Sequence, residues 1–384
     1  MIRIYQIIIC LIFCCLGCSS NNNDNTSNPD VSPPTDSQNT ISKIEFIDEY
    51  VIPVQDLAGV PVGGLSGIDY YDGKWYLICD TSEPPIRYYN ASISYTSTGF
   101  TEVSVNTMTE IKDNMGAALA AGTVDPESIR FDPNTQNLVY SSEGSIVNDI
   151  DPALFEISTL GNLVRTFTLP DYFKAQANDD TKGPRHNGVF EGLSLNIDNT
   201  GYWVSTELPL IEDGPEPTLT DTDSPVRITF FNKNTGLAER QFTYELDPVA
   251  RPATLGTTFE VNGLVEILEY DQNKFLALER SFSSGYIDGG NNVKIYKVDA
   301  TEATNTLSTE SLNSASYTKA QKTLLFDFET IRSQLINNSV DNIEGISFGP
   351  ALEDGSRTIV VVSDNNFNSF IPQKNQLILF KVIP

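Results

Sequence analysis

Short segments in which every second residue is apolar fill most of the chain after residue 40, as is typical of β-strands with one buried face. Trp75–Cys79 is one example, and turn sequences such as Asp72-Gly73 separate it from its neighbours. Helical periodicity is nearly absent, and only Ala117–Ala121 and Glu329–Ile336 predict a short helix or turn. The pattern therefore predicts an all-β protein.

One phrase recurs along the chain, in which a polar residue and a small residue begin an alternating apolar strand. A second apolar strand follows each copy after a turn and ends on an acidic residue, namely Asp80, Glu143, Glu207, Glu279 or Asp364. The five copies are Leu65-Ser66-Gly67-Ile68, Pro126-Glu127-Ser128-Ile129, Phe190-Glu191-Gly192-Leu193, Val261-Asn262-Gly263-Leu264 and Ile343-Glu344-Gly345-Ile346.

Third and fourth strands follow in every repeat except the last, which stops after Gln376–Val382. The unassigned segment Ile44–Val54 can supply the missing strand, because propellers commonly join their ends by completing one blade from both termini. We therefore predict a β-propeller of five four-stranded blades closed by the N-terminal strand. A β-sandwich and a propeller with a sixth, degenerate blade are the alternatives.

The N-terminus resembles an export signal. One arginine precedes a short apolar run that ends at Gly17 and Cys18, which predicts a lipoprotein signal peptide over residues 1–18 with Cys18 lipidated. Cys15 stands where leucine is usual, so an ordinary cleaved signal is the alternative. Residues 19–42 are a polar tether, and residues 43–384 form the folded domain. We expect export, a lipid anchor in the cell envelope and an outer-membrane location.

The charge balance limits the possible partners. The chain has 24 basic and 51 acidic side chains and a net charge of −27, which excludes nucleic acid as a partner because phosphates would be repelled. Cys79 is the only cysteine after the signal region, so no disulfide forms within the domain and the residue is expected in the core. We expect a monomer.

The repeat predicts a concentration of carboxylates on one face of the propeller. The innermost strands would place Ser66, Glu127, Glu191, Asn262 and Glu344 around the axis, and the acids that end the second strands would surround them. Crowded carboxylates need protons, cations or basic partners, and an all-oxygen set suits calcium. The alternative is that these acids face water at turns.

Basic residues near this face are candidates for binding an anionic group. Arg280 follows Glu279 directly, while Arg185, Arg87 and Arg227 lie near other strand starts. Salt bridges with neighbouring acids are the alternative for each of them. The single histidine, His186, precludes a site built from several imidazoles and is expected to be structural or exposed.

Six short phrases of the chain form a recognisable set: Gly64-Leu65-Ser66-Gly67, Asp125-Pro126-Glu127-Ser128-Ile129, Gly188-Val189-Phe190-Glu191-Gly192-Leu193, Leu278-Glu279-Arg280-Ser281-Phe282, Asn342-Ile343-Glu344-Gly345-Ile346 and Val362-Ser363-Asp364-Asn365-Asn366-Phe367. In these phrases the chain resembles the phytase-like family, described as "esterase-like activity of phytase", over about Gly63 to Val382. The resemblance implies a propeller-like domain in an exported protein, with hydrolysis of esters or phosphoesters. The sequence departs from the family pattern before the third phrase, where Arg185-His186-Asn187-Gly188 stands, so the resemblance by itself does not extend to Arg185.

These residues predict a metal-dependent hydrolase of a small anionic ester. Calcium would be held by Glu127, Glu191, Glu344 and Asp364, with Arg280 stabilising developing charge and Glu207 or Glu279 acting as general base. Substrate-binding roles fall to Arg185, Arg87, Arg227 and Asn365. One alternative is a non-catalytic module, stabilised by calcium, that binds a glycan, peptide or protein. Another is hydrolysis of a lactone or sugar acid.

Overall fold

The structure is a computed structural model that describes residues 39–384 apart from 178, 255, 257, 258 and 370. The predicted signal peptide, Cys18 and most of the tether lie outside the described residues. Within the described part of the chain no α-helix forms, and none of its helical segments is long and apolar enough to cross a membrane. The short helices are all 3₁₀ turns: Ile146–Asn148, Asp171–Phe173, Phe328–Thr330, Arg332–Gln334, Ile336–Asn338 and Asn366–Asn368.

The strands form five antiparallel four-stranded sheets, which are the blades of a β-propeller, and one small hairpin. The hairpin pairs β2 (Asp56–Leu57) with β3 (Val60–Pro61). Blade 1 consists of β4 (Leu65–Tyr71), β5 (Lys74–Cys79), β6 (Arg87–Thr96) and β7 (Gly99–Glu110); blade 2 of β8 (Pro126–Asp132), β9 (Asn137–Ser142), β10 (Ala153–Ser158) and β11 (Leu163–Thr166); blade 3 of β12 (Phe190–Leu195), β13 (Gly201–Thr206), β14 (Pro225–Asn232) and β15 (Ala238–Glu245); blade 4 of β16 (Glu260–Asp271), β17 (Lys274–Ser283), β18 (Asn291–Asp299) and β19 (Gln321–Asp327); blade 5 of β20 (Ile343–Gly349), β21 (Thr358–Ser363), β22 (Asn375–Ile383) and β1 (Lys43–Ile52).

The N-terminal strand completes the last blade, as predicted. Strand β1 pairs antiparallel with β22, from Lys43 opposite Ile383 to Ile52 opposite Asn375. This pairing gives the fifth sheet its outer strand from the opposite end of the chain, so the ring closes without leaving β22 as an open edge. The all-β class and the count of five blades are confirmed.

The hydrophobic core consists of five clusters, and each one fills the junction between two adjacent blades. Trp203 of blade 3, for example, packs against Phe242 of the same blade and Phe275 of blade 4. Cys79 is buried in the cluster between blades 5 and 1, as expected for a small core residue. Each face of a blade therefore buries apolar side chains, which explains the alternation along the strands.

The innermost strands β4, β8, β12, β16 and β20 approach one another closely around the axis. A Cβ atom at Gly192 would lie 2.9 Å from the Cα atom of Glu266, and one at Gly345 would lie 2.8 Å from the carbonyl oxygen of Ser66. No side chain fits at such distances without a shift of the backbone. Gly192 and Gly345 are therefore required by the contact between neighbouring inner strands.

A buried ion pair fills the axis directly beneath the start of these strands. Arg130 Nη2 lies 2.9 Å from Glu266 Oε2, and both side chains are at most 2% exposed. Arg130 donates hydrogen bonds to the carbonyl oxygens of Ile68 (2.7 Å) and Ile346 (3.2 Å). Glu266 accepts one from the backbone N–H of Leu193 at 2.6 Å. This central ion pair thus contacts all five blades.

Candidate functional site

Bulges in the inner strands turn acidic side chains toward the axis. In four blades the pairing of the inner strand with the second strand shifts at the first or second residue of the phrase. A bulge bends the strand and redirects the side chain that it contains. The bulges include Ser66, Glu127, Glu191 and Glu344, which are four of the five residues predicted for the inner ring.

Blade 4 differs from the sequence prediction. Its corresponding bulge lies between Leu264 and Glu266, so Val265 occupies the position predicted for Asn262. Asn262 instead lies in regular pairing opposite Ser281 and donates hydrogen bonds to Glu279 and to the carbonyl oxygen of Asp247. The prediction that Asn262 belongs to the inner ring was wrong. The Asn-Gly dipeptide has the sequence of the repeated phrase, but the bulge that is equivalent to those of the other blades forms three residues later, at Val265.

The second strands show the same shift in blade 4. In blades 1, 2, 3 and 5, the residue paired with the first residue of the phrase is followed by Asp80, Glu143, Glu207 or Asp364. In blade 4 the residue paired with Leu264 is Glu279, so the equivalent position belongs to Arg280. The outer ring therefore contains four carboxylates and one guanidinium group, rather than the five acids predicted.

Glu279 points away from this ring because successive side chains of a strand face opposite sides. Its carboxylate accepts hydrogen bonds from the Tyr244 hydroxyl and from Asn262, and it lies 2.7 Å from Lys322 Nζ. We predicted from the sequence that Glu279 could be a general base. In the structure it does not join the four carboxylates of the outer ring.

Two groups of carboxylates near the start of the inner strands could each hold a metal ion. Oxygens of Asp80, Asp125 and Glu127 lie within 4.8 Å of one another, and so do oxygens of Glu127, Glu143 and Glu191. The donor set is entirely carboxylate, which suits calcium, as predicted in general terms. Of the four residues predicted as ligands, Glu127 and Glu191 belong to these triads. Asp125 was not singled out, although its place two residues before Glu127 was a usable signal.

Of the other two predicted ligands, Glu344 lies beside Arg280, and Asp364 lies in the turn between β21 and β22 of blade 5. Glu344 Oε1 is 3.1 Å from Arg280 Nη2 and accepts a hydrogen bond from Asn342 at 2.9 Å. Asp364 accepts a hydrogen bond of 2.8 Å from the backbone N–H of Asn366. Arg280 Nη2 also lies 3.3 Å from Glu207, so the guanidinium group bridges two acids from different blades. The role of Glu344 and Asp364 as metal ligands stays a prediction.

Burial shifts the protonation of these acids strongly. It raises the pKa of Asp80, Glu127, Glu191 and Asp364 well above the ordinary range, and neighbouring carboxylates raise it further. Burial together with the charge of Glu207 raises the pKa of Glu143 to about 8. The same burial raises the pKa of Glu207 to about 7, although Arg280 opposes the shift. This cluster of acids thus favours bound protons or cations over free carboxylates.

The stability of the metal-free protein should therefore fall as pH rises. Glutamates in the unfolded chain titrate near 4.5, whereas Glu207 and Glu143 have pKa values of about 7 and about 8 in the folded chain. The folded state binds more protons throughout this window, so the free energy of unfolding decreases from about pH 4.5 to about pH 8. Urea unfolding with a chelator present measures this dependence. A free energy of unfolding that rises over the same interval would contradict the expectation, and added calcium should reduce the decrease.

The remaining predicted binding residues contact the surrounding scaffold. Arg227 is buried and pairs with Asp213 through Nε and Nη2. Arg185 donates to the carbonyl oxygens of Pro209 and Gly214. These contacts hold a connecting segment against blade 3, and neither arginine is paired with one of the clustered acids. The positions of Arg185 and Arg227 in the fold do not support their predicted roles in substrate binding.

Arg87 and Asn365 contact segments that lie next to Asp80 and Asp364. Arg87 donates to the Tyr89 hydroxyl and lies over the ring of Phe367 at 5.5 Å. Asn365 accepts hydrogen bonds from the backbone N–H groups of Gly64 and Phe367. Burial raises the pKa of Asp125, while a hydrogen bond with Asp80 and the nearby His186 oppose the shift. Asn365 thus positions the segments that flank Asp80 and Asp364.

Several solved structures are similar to this chain. A GH43 β-1,3-galactosidase with galactodeoxynojirimycin has 9% identity and a TM-score of 0.43, over 86% of this chain and 93% of that one. An exo-β-1,3-galactanase from Phanerochaete chrysosporium with galactose has 10% identity and a TM-score of 0.41, over 88% and 65%. A β-fructofuranosidase from Schwanniomyces occidentalis complexed with fructosyl-erythritol has 10% identity and a TM-score of 0.41, over 88% and 58%.

Sequence comparison assigns the family. No curated protein matches the chain at a significant level. The family described as "Phytase-like: Esterase-like activity of phytase" matches residues 60–367, a range that extends from the β2–β3 hairpin to the turn after Asp364 and includes every one of the clustered acids. The resemblance noted from the short phrases is confirmed. The chain belongs to the phytase-like family.

Proposed function

We propose that the chain is a metal-dependent hydrolase of phosphate or carboxylic esters, with its active site at the cluster of acids near the propeller axis. The observation that carries the proposal is the convergence of two carboxylate triads and Arg280 near the start of the inner strands. Buried unpaired carboxylates are costly, so a site built from them needs cations. The family assignment is consistent with ester hydrolysis.

The clustered acids and Arg280 would have different roles in the reaction. Asp80, Asp125, Glu127, Glu143 and Glu191 would hold the metal, with calcium as the expected ion. The chemistry that a bound cation supplies is polarisation of the ester oxygen. Arg280 would donate hydrogen bonds to the anionic group of the substrate, since its Nε has no hydrogen-bond partner among the described residues.

Glu207 is the better of the two predicted general bases. Its pKa of about 7 lies close to neutral pH, where a carboxylate can both accept and release a proton. Glu279 is already occupied by Tyr244, Asn262 and Lys322. In this scheme Glu207 accepts the proton of the attacking water, and Arg280 keeps the carboxylate oriented.

We also propose that the protein is an exported monomer anchored through a lipidated Cys18, in the outer membrane. The support is the sequence of residues 1–42, in which an apolar run, a small residue and cysteine precede a polar segment. Metabolic labelling with a radioactive fatty acid, compared with the Cys18→Ser variant, tests the anchor. Label that persists in the variant would contradict it.

The test of the function is ester hydrolysis by the purified full-length chain with and without metal. Release of nitrophenol from p-nitrophenyl phosphate and p-nitrophenyl acetate is expected in calcium, and a chelator should abolish it reversibly. Glu191→Gln should lower turnover by at least about 100-fold, because loss of groups that only support a metal ligand already costs 10- to 100-fold.

Asp72→Asn is the matched control for this test. Asp72 is exposed in the hairpin turn at the opposite end of blade 1, and its positive φ of 45° is tolerated by asparagine. Unchanged turnover after chelation would overturn the metal-dependent mechanism. A calcium-dependent rise in Tm without cleavage of either ester would overturn the hydrolase assignment and favour a binding module.

A further inference from the structure

We infer that Phe367 forms a part of the active site that contacts an aromatic group of the substrate ester. This inference rests on the proposed function and specifies the class of ester that the site takes. It follows from the strained backbone of Phe367, from the exposure of its phenyl ring and from the residues that hold this ring beside Asp80 and Asp364.

The backbone of Phe367 is strained. Its φ of 48° lies in the left-handed region, and the adjacent Asn366 and Asn368 also have positive φ values. Among the described residues, the other non-glycine residues with a positive φ are asparagine, aspartate, glutamine or alanine. A large aromatic residue is unfavourable there, whereas asparagine or glycine would adopt this backbone at little cost. Strain of this kind is typical of sites that bind ligands.

The segment that precedes blade 1 leaves room for the phenyl ring. A Cβ atom at Gly63 would lie 3.0 Å from Phe367 Cε1, and one at Gly64 would lie 2.9 Å from Phe367 Cε2. The Asn365 side chain accepts hydrogen bonds from the backbone N–H groups of Gly64 (3.0 Å) and Phe367 (3.2 Å). Two glycines and one amide therefore fix the phenyl ring at the junction between blades 5 and 1.

The phenyl ring is next to two of the clustered acids. The carbonyl oxygen of Gly64 accepts a hydrogen bond of 2.6 Å from the backbone N–H of Asp80. Asp364 precedes Phe367 by three residues. Burial and then the charge of Asp364 raise the pKa of Asp80, so these two carboxylates lie near each other. An ester held at these acids would thus place its organic group near the phenyl ring.

The exposure and the surroundings of the phenyl ring indicate what it binds. Phe367 is 36% exposed, whereas a phenylalanine that only filled the space between two segments would be buried. The Arg87 side chain is buried, and its guanidinium group lies 5.5 Å from the centroid of the phenyl ring. Because Arg87 would repel a second cation, the complement of the remaining surface is apolar. An aromatic group of the substrate can stack on the ring or meet its edge.

The test is the preference for an aromatic over an alkyl ligand, measured without turnover. Phenylphosphonate and methylphosphonate carry the same anionic group and have no ester bond, so calorimetric titration of the full-length chain in saturating calcium measures binding alone. The unaltered protein is expected to bind phenylphosphonate about 10-fold more tightly, as contact between two aromatic groups allows. Phe367→Asn, which suits the left-handed backbone, should remove most of this preference, and Phe367→Tyr should retain it.

Tyr71→Asn is the matched control. Tyr71 is 37% exposed at the opposite end of blade 1, where its ring stacks on Phe131 at 4.6 Å, so the preference should be unchanged. A variant that only destabilises the fold would weaken the binding of both phosphonates together and leave their ratio unchanged. Equal affinity of the unaltered protein for the two ligands, no binding of phenylphosphonate, or an unchanged ratio in Phe367→Asn would overturn the inference. An equal loss of the preference in Tyr71→Asn would also overturn it.

These outcomes are separable from failure of the proposed function. A preference for phenylphosphonate that depends on Phe367, without cleavage of any ester, would keep the aromatic subsite and remove the hydrolase. Ester cleavage without such a preference would keep the hydrolase and remove the aromatic subsite.

Discussion

Arg280→Gln is expected to lower kcat/KM for ester hydrolysis by about 10²- to 10³-fold, which is the usual cost of losing one donor to developing negative charge. Arg280 is the only member of the outer ring that is not an acid, and its guanidinium group lies between Glu207 and Glu344. Its loss would remove the one cationic side chain of the ring and leave two carboxylates facing each other. Steady-state kinetics in saturating calcium measures the effect.

Two further variants separate a catalytic role from a structural one. Arg280→Lys keeps the charge but not the fork of donors, so it should recover part of the loss in KM and less of the loss in kcat. Arg165→Gln breaks a similar arginine–glutamate pair with Glu156 in the outer part of blade 2 and should retain full activity. Equal activity of Arg280→Gln and Arg165→Gln, at equal Tm, would remove Arg280 from the mechanism.

Arg130→Met should produce the largest loss of stability, about 3–5 kcal/mol in the free energy of unfolding. The change leaves Glu266 buried and without its partner, and burial already raises the pKa of Glu266 to about 7 despite the charge of Arg130. It also removes donors from the carbonyl oxygens of Ile68 and Ile346, so contacts among three blades are lost together. Urea unfolding at pH 8 measures the loss.

The double variant Arg130→Met/Glu266→Gln tests the cause. With glutamine at position 266 no charge is left buried, so the double variant should recover part of the stability lost in Arg130→Met. The exposed pair of Lys381 and Asp354 is the control, and Lys381→Met should cost less than about 1 kcal/mol. A loss of similar size in Lys381→Met and Arg130→Met would show that the central ion pair has no special role in joining the blades.

The repeated pattern of the sequence was sufficient to predict the architecture. Strand alternation is a local property, because each strand buries one set of side chains in each junction between blades. The same phrase in five places implied equivalent units, and the unpaired segment near Ile44 implied closure of the ring. The convergence of Glu127, Glu191 and Glu344 on one face followed from the same reasoning, since each lies at the start of an inner strand.

The tertiary structure decided which residues of blade 4 belong to the inner and outer rings. The Asn262-Gly263 dipeptide imitates the phrase, but the bulge forms at Val265, and a change of one residue in register exchanges the two faces of a strand. That is why Arg280 enters the ring and Glu279 does not. The grouping of Asp125 with Asp80 and Glu127 also depends on the packing of blade 1 against blade 2. Alternation along one strand carries no information about such contacts, because they depend on how separate strands approach one another in space.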